Sequence, residues 1–166
     1  MPLTTNRDEG FVLDGVASST VVIPLCSEGV FGPDRGFAAL AAALPPTLKE
    51  LSMDINQCGD VGMVAVVEAL SRCTKFDYLK FSSNRIGAAG FAAVAEALPR
   101  WPKLETLWVY RNPGPADALA LALIKALEAD VALKTVYCDN IGLSAAVHQQ
   151  LRAAFEASGN DSHCCD

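Results

Sequence analysis

Aromatic residues are scarce in this chain, at 7% of 166 positions, and 13 basic residues face 19 acidic ones. The resulting net charge of −6 leaves no basic surplus to neutralise phosphates, so a nucleic-acid partner is not expected. Long hydrophobic runs are also missing. The most apolar stretch, Ala116 to Ala129, is interrupted by Asp117, Lys125 and Glu128, and it is shorter than the roughly 20 apolar residues that a membrane span needs. The opening MPLTTNRDEG lacks the apolar core of a secretory signal, and Pro2 stands where myristoylation requires glycine. The six cysteines, Cys26, Cys58, Cys73, Cys138, Cys164 and Cys165, form no C-x-x-C pair, so no zinc or dithiol site is signalled. These absences predict a cytoplasmic chain with reduced thiols, no metal and no cofactor. What is abundant is apolar: 51% of residues are hydrophobic and only 19% are charged. That excludes disorder throughout and provides for one domain with a sizeable core.

The informative feature is internal repetition. The segment Leu48-x-x-Leu51-x-Met53-x-x-Asn56-x-Cys58-Gly59-x-x-Gly62 returns as Phe76-x-x-Leu79-x-Phe81-x-x-Asn84-x-Ile86-Gly87-x-x-Gly90, each position displaced by 28 residues (76 − 48). A third copy begins Leu104-x-x-Leu107-x-Val109-x-x-Asn112, again 28 on (104 − 76). The fourth, Leu133-x-x-Val136-x-Cys138, is displaced by 29 (133 − 104), yet its Asn140 follows Asn112 by 28. Each unit also carries an apolar stripe at helical spacing: Phe37, Leu40, Ala41 and Leu44; Met63, Val66, Val67 and Leu70; Phe91, Val94, Ala95 and Leu98; Ala120, Leu123, Ile124 and Leu127. The alternating half of each unit fits a short strand. A strand–turn–helix unit repeated at this period predicts a solenoid, with a parallel sheet on the concave side and helices on the convex side. The repeated Asn is expected to bond backbone where each strand ends, so that stacked copies form a ladder.

The pattern L-x-x-L-x-L-x-x-N-x-I-G-x-x-G followed by a helix resembles the ribonuclease-inhibitor-like leucine-rich repeats, found in ribonuclease inhibitor, Ran GTPase-activating proteins and NOD-like receptors. The resemblance spans roughly Val22 to Ala157. It implies an α/β leucine-rich-repeat solenoid, a horseshoe fragment of about 4–5 units. Unit three departs from it, with Gly114 and Pro115 where unit two has Ile86 and Gly87, so Pro113-Gly114-Pro115 is expected to bulge. The segment Val22 to Gly36 reads as a degenerate first unit without the Asn. Residues 1–21 are expected to cap the solenoid: Phe11 to Leu13 and a run ending Thr20 to Leu25 can form a hairpin around Asp14-Gly15. Leu143, Val147, Leu151 and Phe155 form the stripe of a C-terminal cap helix. Residues 158–166 read as a flexible Cys-containing tail.

Side chains between the core positions of each strand should face the concave surface. These are Glu50, Ser52, Asp54 and Ile55; Tyr78, Lys80, Ser82 and Ser83; Thr106, Trp108, Tyr110 and Arg111; and Thr135, Tyr137 and Asp139. In a chain this poor in aromatics, finding Tyr78, Trp108, Tyr110 and Tyr137 on one face is a signal. Tyr, Trp and Arg dominate binding hot spots, although exposed aromatics also stabilise cross-strand packing. The candidate protein-binding set is Tyr78, Lys80, Trp108, Tyr110, Arg111, Tyr137 and Asp139. A standard interface needs about 800 Å² per partner, more than so short a sheet offers, so turn loops such as Arg85 to Gly87 should contribute.

Other chemistries are weakly signalled. Cys58 and Cys138 stand at core positions, and His148 reads as a solvated cap residue. His163-Cys164-Cys165-Asp166 could bind a soft metal or become oxidised, though a harmless tail is the simpler reading. Gly29 to Gly36 lacks the Lys-Ser/Thr of a phosphate loop, and no catalytic constellation stands out. The expected function is therefore non-enzymatic recognition of a protein partner. The alternatives are a regulator of a small GTPase, as the resemblance to Ran GTPase-activating proteins implies, although Arg85, Arg111 and the Asn ladder are not matched to the Arg- and Asn-bearing edge of those relatives, or a structural subunit of a larger sensor or cytoskeletal assembly.

Overall fold

A computed structural model describes residues 4–6, 10–12, 20–22, 33–129 and 132–163. Leu51, Leu79, Leu107 and Val136 are the buried centres of four three-residue strands: β4 (Glu50–Ser52), β5 (Tyr78–Lys80), β6 (Thr106–Trp108) and β7 (Thr135–Tyr137). Alternation puts these centres on one sheet face and their neighbours on the other. With β3 (Thr20–Val22) and β8 (Asp161–His163) they form a six-stranded parallel sheet in strict sequence order. The register places Val21, Leu51, Leu79, Leu107 and Val136 in one line across the strands.

Among the described residues, five helices cover the buried face: α1 (Pro33–Ala43), α2 (Asp60–Leu70), α3 (Ala88–Ala97), α4 (Asp117–Glu128) and α5 (Ala145–Ser158). Each packs on the next in sequence, from α1 on α2 to α4 on α5. The core between the layers is continuous from Val21 to Phe155. This α/β stack of nearest neighbours, with one parallel sheet, is compatible with a leucine-rich-repeat solenoid. No helix among the described residues is long and apolar enough to cross a membrane.

The Asn ladder joins the units. Asn84 is buried, and its Oδ1 accepts from the backbone N–H of Asn56 at 3.0 Å and of Cys58 at 2.9 Å, both in the preceding unit. Its amide nitrogen donates to the carbonyls of Met53 at 2.9 Å and Phe81 at 2.8 Å. Asn112 repeats the arrangement one unit on, accepting from Ile86 N–H at 3.2 Å and donating to Val109 O at 2.8 Å.

Asn140 does not continue the ladder. The extra residue before β7 shifts the frame, so Asn140 falls on the position of Arg111, and buried Ile141 takes the place of Asn112. Backbone conformation shows the shift directly: Ile55, Ser83, Arg111 and Asn140 share φ values of 57°, 54°, 55° and 52°. This left-handed turn recurs once per unit, immediately before the ladder position, and Asn tolerates it better than Ile.

The starts of α3 and α5 are satisfied by the preceding unit. Neither Gly59 nor Gly87, the residues before α2 and α3, provides a side-chain cap. For α3 the acceptor is Asp60, in the first turn of α2: its Oδ1 accepts from Gly87 N–H at 2.6 Å and Gly90 N–H at 2.9 Å. Asp117 in α4 does the same for α5, accepting from Ser144 N–H at 2.8 Å. A carboxylate at a helix N-terminus is favoured by orphan N–H groups and by the helix dipole. Gly90 is needed for this approach, because a Cβ there would lie 2.8 Å from Asp60 Oδ1 and 2.7 Å from Ile86 Cγ2. Gly90→Ala is expected to destabilise the fold by about 1–3 kcal/mol through overpacking, measurable as a lower urea midpoint with an unchanged m value.

Several expectations are corrected. The antiparallel hairpin pairs β1 (Thr4–Asn6) with β2 (Gly10–Val12), so Phe11 lies opposite Thr5 and not opposite the run after Thr20. Thr20–Val22 is instead the first parallel strand, with buried Val21 at the register position of Leu51. The hairpin contacts α1 and forms a sheet of its own. Pro113 and Pro115 are exposed, but Gly114 between them does not bulge. It is buried, donates to Ile86 O at 3.0 Å, and a Cβ there would stand 2.5 Å from the Gly87 backbone.

The tail expected to be flexible from residue 158 contributes a strand. Gly159 ends α5 at φ 69°, the left-handed conformation that glycine enters without strain. The chain then returns to the open edge of β7, whose backbone groups β8 satisfies. Cys138 is disulfide-bonded, against the expectation of reduced thiols, whereas Cys58 and Cys73 are free and buried. Burial pushes the Cys73 thiol up, against the opposing pull of Arg72, which favours its protonated, unreactive form. Cys26, Cys164, Cys165, Asp166 and the Asp14-Gly15 turn lie outside the described residues.

Candidate protein-binding site

The sheet face opposite the helices is a grid set by strand register. One row reads Glu50, Tyr78, Thr106, Thr135, and the next reads Ser52, Lys80, Trp108, Tyr137. Beyond the strand ends the ladder continues through Ile55 N–H to Ser82 O, Ser83 N–H to Tyr110 O and Arg111 N–H to Asp139 O. A third row of Asp54, Ser82, Tyr110 and Asp139 follows from the two-residue period.

Trp108 is the centre of the grid. Its ring centroid lies 4.6 Å from that of Tyr137, 6.2 Å from Tyr110 and 6.4 Å from Tyr78, all in tilted arrangements. Such tilted pairs within about 7 Å are attractive beyond simple area burial. Lys80 Nζ stands 4.0 Å from the centroid of the Trp108 ring and 3.0 Å from Asp54 Oδ2. Burial alone would lower the Lys80 ammonium, but the hydrogen bond and charge of Asp54 outweigh it and hold Lys80 above its ordinary value. Tyr78 is raised, chiefly by burial.

Six of the seven residues singled out from the sequence, Tyr78, Lys80, Trp108, Tyr110, Tyr137 and Asp139, are half-buried on this face. Arg111 is exposed on the loop after β6, with its guanidinium 5.9 Å from the Tyr110 ring. The structure therefore brings the aromatic set and Lys80 together, and places Arg111 and Asp139 at its rim.

Two features were not anticipated. Asp54 is the anchor of Lys80, and it also accepts from Ser82 N–H at 2.7 Å; the signal was there, since the residues differ by 28 and 26 positions (82 − 54, 80 − 54), close to one repeat. Ser82 is buried rather than exposed, and both Ser82 Oγ and Trp108 Nε1 lack a hydrogen-bond partner. Trp101 Nε1 in the core is unpaired in the same way, and all three atoms are shielded from solvent.

Below the grid, Asp77 is flanked by acidic neighbours. Its carboxyl is raised by burial first, then by Glu50 and Glu105, with Lys49 opposing. Among the described residues, no group of three His, Cys, Asp or Glu could hold a metal ion. Asn84 and Asn112, by contrast, are consumed by the ladder, whereas Arg85 and Arg111 are exposed on the loops.

No family model and no curated protein matches the sequence. Among solved structures, the chain is similar to leiomodin-1 actin-binding site 2, with a TM-score of 0.61. The two share a fold. The likeness covers 85% of this chain and 80% of leiomodin-1 actin-binding site 2, at 16% sequence identity.

Proposed function

We propose that the chain is a ribonuclease-inhibitor-like leucine-rich-repeat solenoid, and that it is a non-enzymatic module binding a protein partner through its concave sheet face. The observation that carries this reading is the half-exposed cluster of Tyr78, Tyr110 and Tyr137 around Trp108. Amphipathic aromatics suit a protein surface better than water. The three strand-bearing aromatic rows are short, so exposed loop residues such as Ile55, Arg85 and Arg111 would widen the contact. A cytosolic setting belongs to the same proposal, and the Cys138 disulfide is the observation that runs against it.

The test is paired affinity capture with the native chain and a Trp108→Ala, Tyr110→Ala, Tyr137→Ala triple variant of matching circular dichroism. The expected result is a protein held by the first bait and lost by the second. Equal retention by both baits, or none by either, would overturn the concave-face reading.

A cytoskeletal partner is the second reading. It is favoured by the likeness to leiomodin-1 actin-binding site 2, and co-sedimentation of the same two baits with filamentous actin tests it. A GTPase-directed role finds less support, because the ladder already occupies the amides of Asn84 and Asn112.

A further inference from the structure

Lys80 is the only basic side chain among the twelve positions of the grid, from Glu50 to Asp139. Around it stand Asp54 and Glu50 on one side and Asp139 on the other, with Asp77 and Glu105 below. A cation over an indole ring and against a carboxylate is a recognisable arrangement: the ring quadrupole and the carboxylate both favour positive charge. The free protein provides that cation itself, yet imperfectly. An ammonium on a flexible stem is the weaker of the two basic groups for stacking.

Resting on the concave-face reading, we propose that this face takes the guanidinium of an arginine in an extended basic segment of the partner, and that Lys80 holds its place in the free protein. The planar guanidinium stacks on the Trp108 face and carries five donors. Asp54 Oδ1 accepts from Ser82 N–H at 2.7 Å and Oδ2 meets Lys80 Nζ at 3.0 Å, so the guanidinium takes the Oδ2 that Lys80 gives up. Lys80 is only 24% exposed and Asp54 17% exposed in their side chains, so the exchange replaces one partly desolvated ion pair with another instead of burying a new charge. The carboxyl of Asp77, raised by burial and by Glu50 and Glu105, reports the negative field that a basic segment would relieve. The net charge of −6 adds long-range attraction of the same sign.

The test uses the full chain with Trp101→Phe, so that the single remaining indole N–H resonance belongs to Trp108. Short acetylated peptides repeating Gly-Arg-Ser, Gly-Lys-Ser or Gly-Glu-Ser are titrated at physiological salt. The Arg peptide is expected to shift the Trp108 indole resonance, the Lys peptide to bind about tenfold more weakly, and the Glu peptide not to bind. Lys80→Met removes the internal competitor while keeping the stem, and should tighten Arg-peptide binding about tenfold, whereas Asp54→Asn should loosen it by a similar factor. Should Asp54→Asn fail to fold, Asp54→Ser replaces it.

An unmoved indole resonance, equal binding of all three peptides, or weaker binding by Lys80→Met would overturn the inference. If the Arg peptide fails while affinity capture still recovers a partner lost by the triple variant, this inference alone falls. If capture fails as well, the concave-face reading falls with it.

Discussion

Replacing Asn84 by alanine is expected to lower the unfolding free energy by about 4 kcal/mol, read as a shift of the urea midpoint. The estimate follows from the partners it would strand. Two buried backbone donors, Asn56 N–H and Cys58 N–H, lose their acceptor at once, and each such orphan costs about 1–3 kcal/mol. The carbonyls of Met53 and Phe81 lose a donor in addition. Asn112→Ala is expected to cost less, about 2 kcal/mol, because Asn112 Oδ1 accepts from one backbone donor, Ile86 N–H, where Asn84 serves two. Asn140→Ala should be within about 0.5 kcal/mol of neutral, since Asn140 is exposed and off the ladder. That ranking separates the ladder from a mere count of repeated asparagines. A fold as destabilised by Asn140→Ala as by Asn84→Ala would contradict the frame shift. Asn84→Asp keeps the acceptor but turns a carboxylate toward two carbonyls, so it should not rescue stability. Against a typical domain stability of about 5–15 kcal/mol, the loss of Asn84 is a substantial fraction.

Trp108→Ala should weaken the captured partner at least thirtyfold, about 2 kcal/mol, while shifting the thermal midpoint little. Its ring touches three tyrosines and the Lys80 ammonium, but it is half-exposed and lies outside the core. Titration calorimetry with the captured partner, beside a melting curve, measures both quantities. The contrast with Asn84 is diagnostic: one residue is expected to matter for binding and hardly for folding, the other for folding first. Equal and large losses of stability from both would mean that the aromatic cluster is packing and not a recognition surface. Trp108→Phe keeps the stacking but removes the indole donor, and should recover part of the affinity.

The repeat made most of this legible. A displacement of 28 residues, with Leu, Asn and Gly in fixed places, is enough to locate β4, β5 and β6 and the helices after them, because the same buried positions must recur in each unit. It also put Tyr78, Trp108, Tyr110 and Tyr137 on one face through the two-residue period of a strand. Where the period slipped, reading by spacing failed. One inserted residue before β7 moved Asn140 off the ladder, and only the positive φ it shares with Arg111 reveals its true equivalent. Elements lacking the motif were harder still. Thr20–Val22 is a repeat strand with no Asn to mark it, and Asp161–His163 joins the sheet through backbone pairing, which its polar side chains do not advertise. Contacts that cross units, such as Asp54 with Lys80 or Asp60 with Gly87, depend on rotamers and approach distances that a pattern of residue types does not encode.

The carboxylates that cap a neighbour's helix give the stack a social character. Asp60 is local to α2 but spends its acceptor on α3, and Asp117 in α4 does the same for α5. A unit cut from the array would therefore lose more than buried apolar surface: its helix would begin with bare N–H groups, and its own carboxylate would face water with nothing to cap. Repeat proteins divide their stability between what each unit holds alone and what it shares with the next. Here the ladder and the borrowed caps put weight on the shared part. Such a chain is expected to melt as one body, not unit by unit, with a fault in one repeat felt by the repeat that follows it.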